Sequence, residues 1–101
     1  MSAKVACVVC GYRTLGARAD WDICPICFWE DDVIIDDRQD AKSPANGDMW
    51  VSEAQANFVT IGACRPEHSQ NVRSPTDEDE RVEGFQLLPA TLRILKTQRD
   101  R

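Results

Sequence analysis

The sequence of 101 residues lacks several features that membrane proteins and enzymes need. No run of eighteen apolar residues occurs, so we expect no membrane-spanning helix. The first residues carry one lysine and no long apolar core, so we expect no signal peptide and a cytoplasmic protein. His68 is the only histidine, and spacing singles out no serine, histidine and aspartate set for nucleophilic catalysis. These absences favour a protein that is not an enzyme.

Basic residues are fewer than acidic ones, 12 against 17, and the formal net charge is −5. Residues 1–30 hold three basic and three acidic groups, and residues 31–83 hold five basic and thirteen acidic groups. Residues 84–101 hold four basic groups and one acidic group. Nucleic-acid-binding proteins present a basic face to phosphates, so the acidic middle argues against that class. It is compatible with a basic protein partner, or with acidity that only keeps the protein soluble.

Four of the five cysteines form two C-x₂-C pairs, Cys7 with Cys10 and Cys24 with Cys27. Thirteen residues separate the pairs, which is close to the spacing of four-cysteine zinc sites. Zinc binds four thiolates in a tetrahedron, and such a closed site leaves no position for a catalytic water. The pattern therefore predicts one structural zinc ion held by these four residues.

Three alternatives to structural zinc are disulfides, a redox-active cysteine pair and an iron site. Paired disulfides are disfavoured in a reducing compartment, and a redox C-x₂-C pair would need a βαβ pattern beside it. Iron also accepts four thiolates, and Cys7–Tyr12 resembles the first knuckle of rubredoxins. However, rubredoxins place their second pair further along the chain, so an iron electron carrier is the weaker alternative. The fifth cysteine, Cys64, forms C-x₃-H with His68, but we expect a small buried apolar residue there.

An acidic segment follows the second cysteine pair and is the candidate surface for a basic partner. It lacks the spacing and turn glycine of an EF-hand loop, so a cation site is not expected. Its carboxylates are Glu30, Asp31, Asp32, Asp36, Asp37 and Asp40. The three tryptophans are expected in the core, and any that is exposed becomes a candidate interface anchor.

The fold expected from these patterns is α+β: a small zinc-ribbon-like antiparallel β module with one or two packed helices. Ser52 and Gln55 match a capping box, which predicts a helix beginning at Ser52 and ending before Gly62. Its apolar face is formed by Ala54, Phe58 and Ile61. A last helix is expected to begin at Pro89, with three leucines on one side. These are Leu88, Leu92 and Leu95.

The expected organisation is one domain over residues 1–101. Residues 3–32 form the four-cysteine ribbon, and residues 33–75 form a connection and a helix packed on it. Residues 76–101 form an acidic loop and the C-terminal helix, whose polar end is expected to fray.

Several blocks of the sequence resemble the bacterial cysteine-rich CPCC family. They lie between residues 6 and 75, and the most specific is Cys24-Pro25-x-Cys27-Phe28-Trp29-Glu30-Asp31-Asp32. The others are Cys7-x-x-Cys10-Gly11-Tyr12-x-Thr14-Leu15, Ala45-Asn46-Gly47, Ser52 with Ala56 and Phe58, Gly62-Ala63-Cys64, and Val72-Arg73. The resemblance implies metal binding and no particular activity.

The sequence departs from the family's name motif at its first cysteine block. That motif reads Cys-Pro-Cys-Cys before Gly-Tyr, whereas Val8 and Val9 stand here in place of the proline and the middle cysteine. The outer pair remains, so the departure implies that the middle cysteine is not a required ligand.

Three classes of function remain open from the sequence. The first is a zinc-binding protein-interaction module, in one version an immunity protein that masks a basic bacterial toxin. The second is a nucleic-acid- or transcription-associated zinc ribbon, supported only by the basic last eighteen residues. The third is the iron electron carrier.

Overall fold

A computed structural model describes residues 4–32 and 39–99. Four short strands and two α-helices occur there: β1 (Val5–Ala6), β2 (Arg13–Leu15), β3 (Lys42–Ser43), β4 (Met49–Trp50), α1 (Val51–Ile61) and α2 (Pro89–Arg99). Short 3₁₀ turns cover Pro44–Asn46 and Pro66–His68. The expected α+β class with short antiparallel strands is confirmed.

Strands β1 and β2 form an antiparallel hairpin around the first cysteine pair. Val5 lies opposite Leu15 and Ala6 opposite Arg13, with an irregular register between them. A later segment runs along the other side of β2, since the amide of Arg13 donates to the carbonyl of Glu80 at 2.8 Å. The first cysteine pair is thus enclosed by residues distant in sequence.

Strands β3 and β4 form a second antiparallel pair and lead directly into α1. Lys42 lies opposite Trp50 and Ser43 opposite Met49. The turn between them contains Gly47 at φ +69°, a left-handed conformation that glycine adopts at little cost. Asn46 precedes it, and Asn-Gly pairs favour such turns.

Helix α1 begins one residue earlier than expected and has a different cap. The side chain of Glu53 accepts a hydrogen bond from the amide of Trp50 at 3.0 Å. Asp40 accepts hydrogen bonds from both the amide and the hydroxyl of Ser52, at 2.9 and 2.6 Å. The predicted Ser52–Gln55 capping box is therefore wrong, because an aspartate distant in sequence satisfies the first turn of the helix. The predicted end at Gly62 is confirmed, with φ +78° there.

A buried hydrogen-bond network joins α1 to α2 and explains what Gln55 does instead of capping. Its side-chain oxygen accepts from the amide of Leu88 at 3.0 Å and from the hydroxyl of Thr91 at 2.6 Å. Its side-chain nitrogen donates to the carbonyl of Val8 at 2.9 Å. Helix α2 begins at Pro89 as expected. Gln55 therefore connects the first cysteine pair to both helices.

The core contains the four paired cysteines together with residues from α1 and α2. The largest fully buried side chain of the core is Trp29, and the partly buried Phe58 packs against the core. Three apolar residues expected to be buried are exposed: Trp21, Trp50 and Ile61. Ile61 lies on the last turn of α1, so the predicted apolar face holds only at Ala54 and Phe58. Leu92 of the predicted leucine side is also exposed, at 55%. In the described residues, no helix is long and apolar enough to cross a membrane.

Candidate metal centre

The two cysteine pairs lie in turns with the same backbone hydrogen bonds. In the first knuckle, Cys7–Tyr12, the amide of Gly11 donates to the carbonyl of Cys7 at 2.8 Å. In the second knuckle, Cys24–Trp29, the amide of Phe28 donates to the carbonyl of Cys24 at 2.7 Å. Each first cysteine also donates its amide to the carbonyl five residues on, at 2.9 Å in both cases. The turns therefore present their thiols in the same way.

The sulfur atoms of Cys7, Cys10, Cys24 and Cys27 all lie within 4.8 Å of one another. Sulfur atoms of Cys7 and Cys27 are 3.5 Å apart, and those of Cys10 and Cys24 are 3.7 Å apart. A tetrahedron with Zn–S bonds of about 2.3 Å has S–S edges of about 3.8 Å. Disulfide sulfurs would be about 2.05 Å apart, and all five cysteines are free thiols. The four sulfurs fit one tetrahedral metal ion.

Burial makes this cluster a poor environment for thiolates without a cation. All four cysteines are at most 1% exposed. Burial raises the pKa values of Cys7 and Cys27 well above their usual range. Hydrogen bonds from the neighbouring thiols of Cys10, Cys27 and Cys7 lower the pKa of Cys24. A bound cation deprotonates thiols outright and neutralises the charge they acquire, so the donor set is suited to a metal.

Thr14 contacts the cluster and was not singled out from the sequence. Its hydroxyl donates a hydrogen bond to the sulfur of Cys24 at 3.0 Å. Thr14 lies on β2, the strand that leaves the first knuckle, so it connects one knuckle to a ligand of the other. Groups that hydrogen-bond to metal ligands orient them and tune the metal. A β-branched residue two positions after the Gly-Tyr pair gave no signal of this role.

Later parts of the chain bind the carbonyl groups of both knuckles. Arg81 donates its side-chain Nε to the carbonyl of Cys10 at 2.8 Å, and the amide of Val82 donates to that of Gly11 at 2.8 Å. The amide of Cys64 donates to the carbonyl of Cys27 at 2.8 Å, and that of Arg73 to Pro25 at 3.1 Å. These contacts fix the orientation of both turns.

Cys64 and His68 do not join the four cysteines as ligands. In residues 4–32 and 39–99, the group that could hold a metal consists of the four paired cysteines. Cys64 is fully buried, and burial raises its pKa to about 12. His68 instead packs on Phe28, with ring centroids 4.4 Å apart. The burial of Cys64 agrees with the small buried apolar residue expected there.

The acidic segment is less available to a partner than the sequence indicated. Asp31 is fully buried, where its carboxylate accepts from the amide of Ala19 at 2.7 Å and pairs with Arg18 at 3.3 Å. Asp32 accepts from the hydroxyl of Ser43 at 2.8 Å. With Asp40 at the start of α1, three of the predicted partner residues hold the fold together. For the buried Asp31 the surface prediction is wrong.

The other predicted partner residues are placed differently. Glu30 is half-buried, and its backbone exchanges hydrogen bonds with the side chain of Asn46. Asp36 and Asp37 lie outside the described residues. In the second acidic run, near Asp79, the guanidinium of Arg73 holds the pKa of Asp79 well below its usual range. Four of the acidic residues of the described chain form ion pairs with arginines, at Asp31, Glu67, Asp79 and Glu80.

The fold and the cysteine cluster together define an α+β module compatible with a zinc ribbon, built around four cysteines that could hold one metal ion. A family model described as cysteine-rich CPCC matches residues 5–79. The chain belongs to this family, as its motifs indicated. Neither the curated proteins nor the solved structures gave a match to the chain.

Proposed function

We propose that the four paired cysteines bind one structural zinc ion and that the protein is not an enzyme. The observation that supports this most directly is the closed geometry of the cluster. Four buried thiolates complete a tetrahedron, so no coordination position remains for water or substrate. Zinc bound in this way contributes to folding, because the ligands converge only in the folded chain.

The metal can be identified by native mass spectrometry of the purified chain, with Cys24→Ser and Cys64→Ser as matched variants. We expect one zinc ion in the parent chain and in Cys64→Ser, and loss of zinc from Cys24→Ser. One iron ion and the red colour of an iron–thiolate centre would favour the electron carrier instead. A chain purified without exogenous chelator that carries no metal would overturn the proposal.

We further propose that the zinc-supported module binds a basic protein partner. The net charge of −5 supports this class of partner, since complementary charge accelerates and orients association. One specific version is an immunity protein that masks a basic toxin. Exposed Arg93, Lys96 and Arg99 on α2 would instead suit nucleic acid, but they are few against the acidic residues elsewhere.

Co-expression with the products of adjacent genes tests the partner class. A basic protein that co-purifies in a fixed ratio, and is released by high salt, is the expected result. If that partner also inhibits growth when expressed alone, the immunity version is supported. Retention of duplex DNA by the purified chain, lost when residues 89–101 are removed, would overturn the protein-partner proposal in favour of the nucleic-acid alternative.

A further inference from the structure

The loop between the two knuckles has a firmly held backbone. Asp22 accepts a hydrogen bond from the amide of Gly16 at 2.7 Å, and the buried Asp31 accepts one from the amide of Ala19 at 2.7 Å. The amide of Trp21 donates to the carbonyl of Asp31 at 3.0 Å, and Ile23 forms a bridge with Glu30. Residues 16–23 are thus fixed against the strand-like segment that leaves the second knuckle.

This well-held loop presents its largest apolar side chains to solvent. Trp21 is 58% exposed and Ile23, two residues on, is 47% exposed. Trp21 also has φ +62°, a left-handed conformation that residues other than glycine rarely adopt because of Cβ crowding. The fold therefore holds a tryptophan in an unfavourable backbone conformation without burying its ring. Ala19 in the same loop also has a positive φ, of +57°, and residues held in such conformations cluster at functional sites.

The other exposed tryptophan provides a comparison. Trp50 has an ordinary extended conformation, with φ −76°, and starts α1. The ammonium group of Lys42 lies 5.5 Å from the centroid of its ring, so the ring already has a cationic partner within the chain. Trp21 is both more exposed and more strained, which makes it the better candidate for an intermolecular contact.

The charge around Trp21 indicates the kind of partner. Residues 16–32 contain five acidic residues and one basic residue, Arg18, which pairs with the buried Asp31. Asp20 beside Trp21 is exposed, and Glu30 opposite Ile23 is half-buried. We call Trp21, Ile23, Asp20 and Glu30 the Trp21 face. Its apolar centre and acidic border resemble the organisation of protein interfaces.

We infer that the Trp21 face is the docking surface for a protein partner whose apolar pocket is bordered by arginine or lysine. This inference rests on the proposed function and adds the location of the contact. The partner's pocket takes the indole of Trp21 and the side chain of Ile23, while its basic border faces Asp20 and Glu30. Because the loop is already fixed, the anchor loses little conformational freedom on binding.

Site-specific photo-crosslinking in the cells that produce the protein tests this location. A photoreactive phenylalanine analogue replaces Trp21 in one full-length chain, Trp50 in a second and Glu78 in a third. We expect a discrete adduct with one basic protein from position 21 and none from positions 50 and 78. That protein is then purified, and its binding to the unlabelled chain is measured directly.

The purified pair provides the quantitative test. Trp21→Ala is expected to weaken binding about 30-fold or more, as for an interface hot spot, while Trp50→Ala changes it less than about threefold. Asp20→Lys is expected to slow association and reduce its dependence on salt. Circular dichroism and zinc content check that each variant is folded.

The outcomes separate this inference from the proposed function. A basic protein that crosslinks at position 50 or 78 but not at 21 leaves the partner proposal intact and overturns the docking surface. Unchanged binding of the partner to the folded Trp21→Ala variant also leaves the partner proposal intact and overturns the docking surface. Absence of adducts at all three positions overturns the docking surface, whereas the partner proposal is overturned if no basic protein co-purifies with the chain.

Discussion

The first and second knuckles share one backbone geometry but differ in the groups that hold them. In the first, the side chains of Gln55 and Arg81 bind the carbonyls of Val8 and Cys10. In the second, the backbone amides of Arg73 and Cys64 bind the equivalent carbonyls, those of Pro25 and Cys27. The first knuckle therefore depends more on residue identity, since any non-proline residue supplies a backbone amide.

The knuckles also differ at the residue after the second cysteine, which has a positive φ in both. Gly11 has φ +80° in the first knuckle, and Phe28 has φ +72° in the second. A Cβ on Gly11 would lie 2.6 Å from a ring carbon of Phe85, so glycine is required there for space as well as conformation. Phe28 carries the conformational cost but packs its ring on His68. The same positive-φ position is thus occupied by a glycine without a side chain in one knuckle and by a packed aromatic residue in the other.

The largest loss of stability is expected from the removal of a metal ligand, because both knuckles must bind the same ion. Cys24→Ala removes one ligand, and the remaining three thiolates cannot complete the tetrahedron. Structural zinc contributes about 10 kcal/mol or more in small zinc domains, so we expect loss of metal and unfolding of the cysteine block. Native mass spectrometry and circular dichroism measure both. Cys64→Ala is the matched control, and the ligand assignment would be contradicted if this variant loses half its metal.

The next largest effect is expected from Gly11→Ala, which tests the difference at the positive-φ position. The new Cβ meets the ring of Phe85 and disfavours the left-handed backbone. We expect a loss of about 2–4 kcal/mol in the free energy of unfolding, measured by urea denaturation of the metal-bound chain.

The double variant Gly11→Ala/Phe85→Ala separates the two causes of that loss. If crowding dominates, removing the ring makes the combined loss smaller than the sum of the single losses. Additive losses would mean that only the backbone conformation matters at Gly11.

A third prediction compares the supporting groups directly, through Arg81→Ala and Arg73→Ala. Arg81→Ala removes the donor to Cys10 and two cation–ring contacts, with Tyr12 and Phe85, each at 5.1 Å. We expect a loss of about 2 kcal/mol in the free energy of unfolding. Arg73→Ala keeps the backbone amide bonded to Pro25. It loses a two-point ion pair with Asp79, at 2.7 and 2.8 Å, and a hydrogen bond to the carbonyl of Ser74 at 3.3 Å.

For Arg73→Ala we expect a smaller loss, of about 1 kcal/mol, because solvent screens an ion pair whose guanidinium is half-exposed. Equal losses in the two arginine variants, measured by thermal denaturation, would show that both knuckles depend equally on side chains.

A smaller effect than that of Arg81→Ala is expected from Thr14→Val, which removes the hydroxyl donor to Cys24 while keeping the shape of the side chain. We expect metal affinity to fall about tenfold, or about 1.4 kcal/mol, as for other groups that support metal ligands. Competition with a chromogenic chelator measures it. Thr14→Ser retains the hydroxyl and should bind nearly as well as the parent; equal weakening in both variants would assign the effect to packing.

The sequence predicts the local features of the site better than the long-range ones. Each C-x₂-C spacing predicts one pair of ligands, because such a turn is a local structure, and the four ligands that zinc needs predict that the two pairs meet. The end of α1 before Gly62 and the start of α2 at Pro89 are likewise predicted from single residues. Asp40 as the cap of α1 could not be predicted, since a distant carboxylate replaces the local Ser52 signal.

Burial of polar residues was the other feature that sequence patterns did not predict. Asp31 and Gln55 are polar, so their types favour the surface, yet both are buried, and each accepts a hydrogen bond from a backbone amide. Conversely, Trp21 is apolar and exposed. Which side of the chain faces the core here depends on tertiary contacts rather than on hydrophobic periodicity.

The different supports of the two knuckles also have a consequence during protein synthesis. Chains leave the ribosome from the N-terminus, and the second knuckle can receive both of its backbone donors once Arg73 has emerged. The first knuckle lacks two of its hydrogen-bond donors until Arg81 and Val82 have been synthesised, although its own cysteines emerged much earlier. The turn that is synthesised first is therefore completed last.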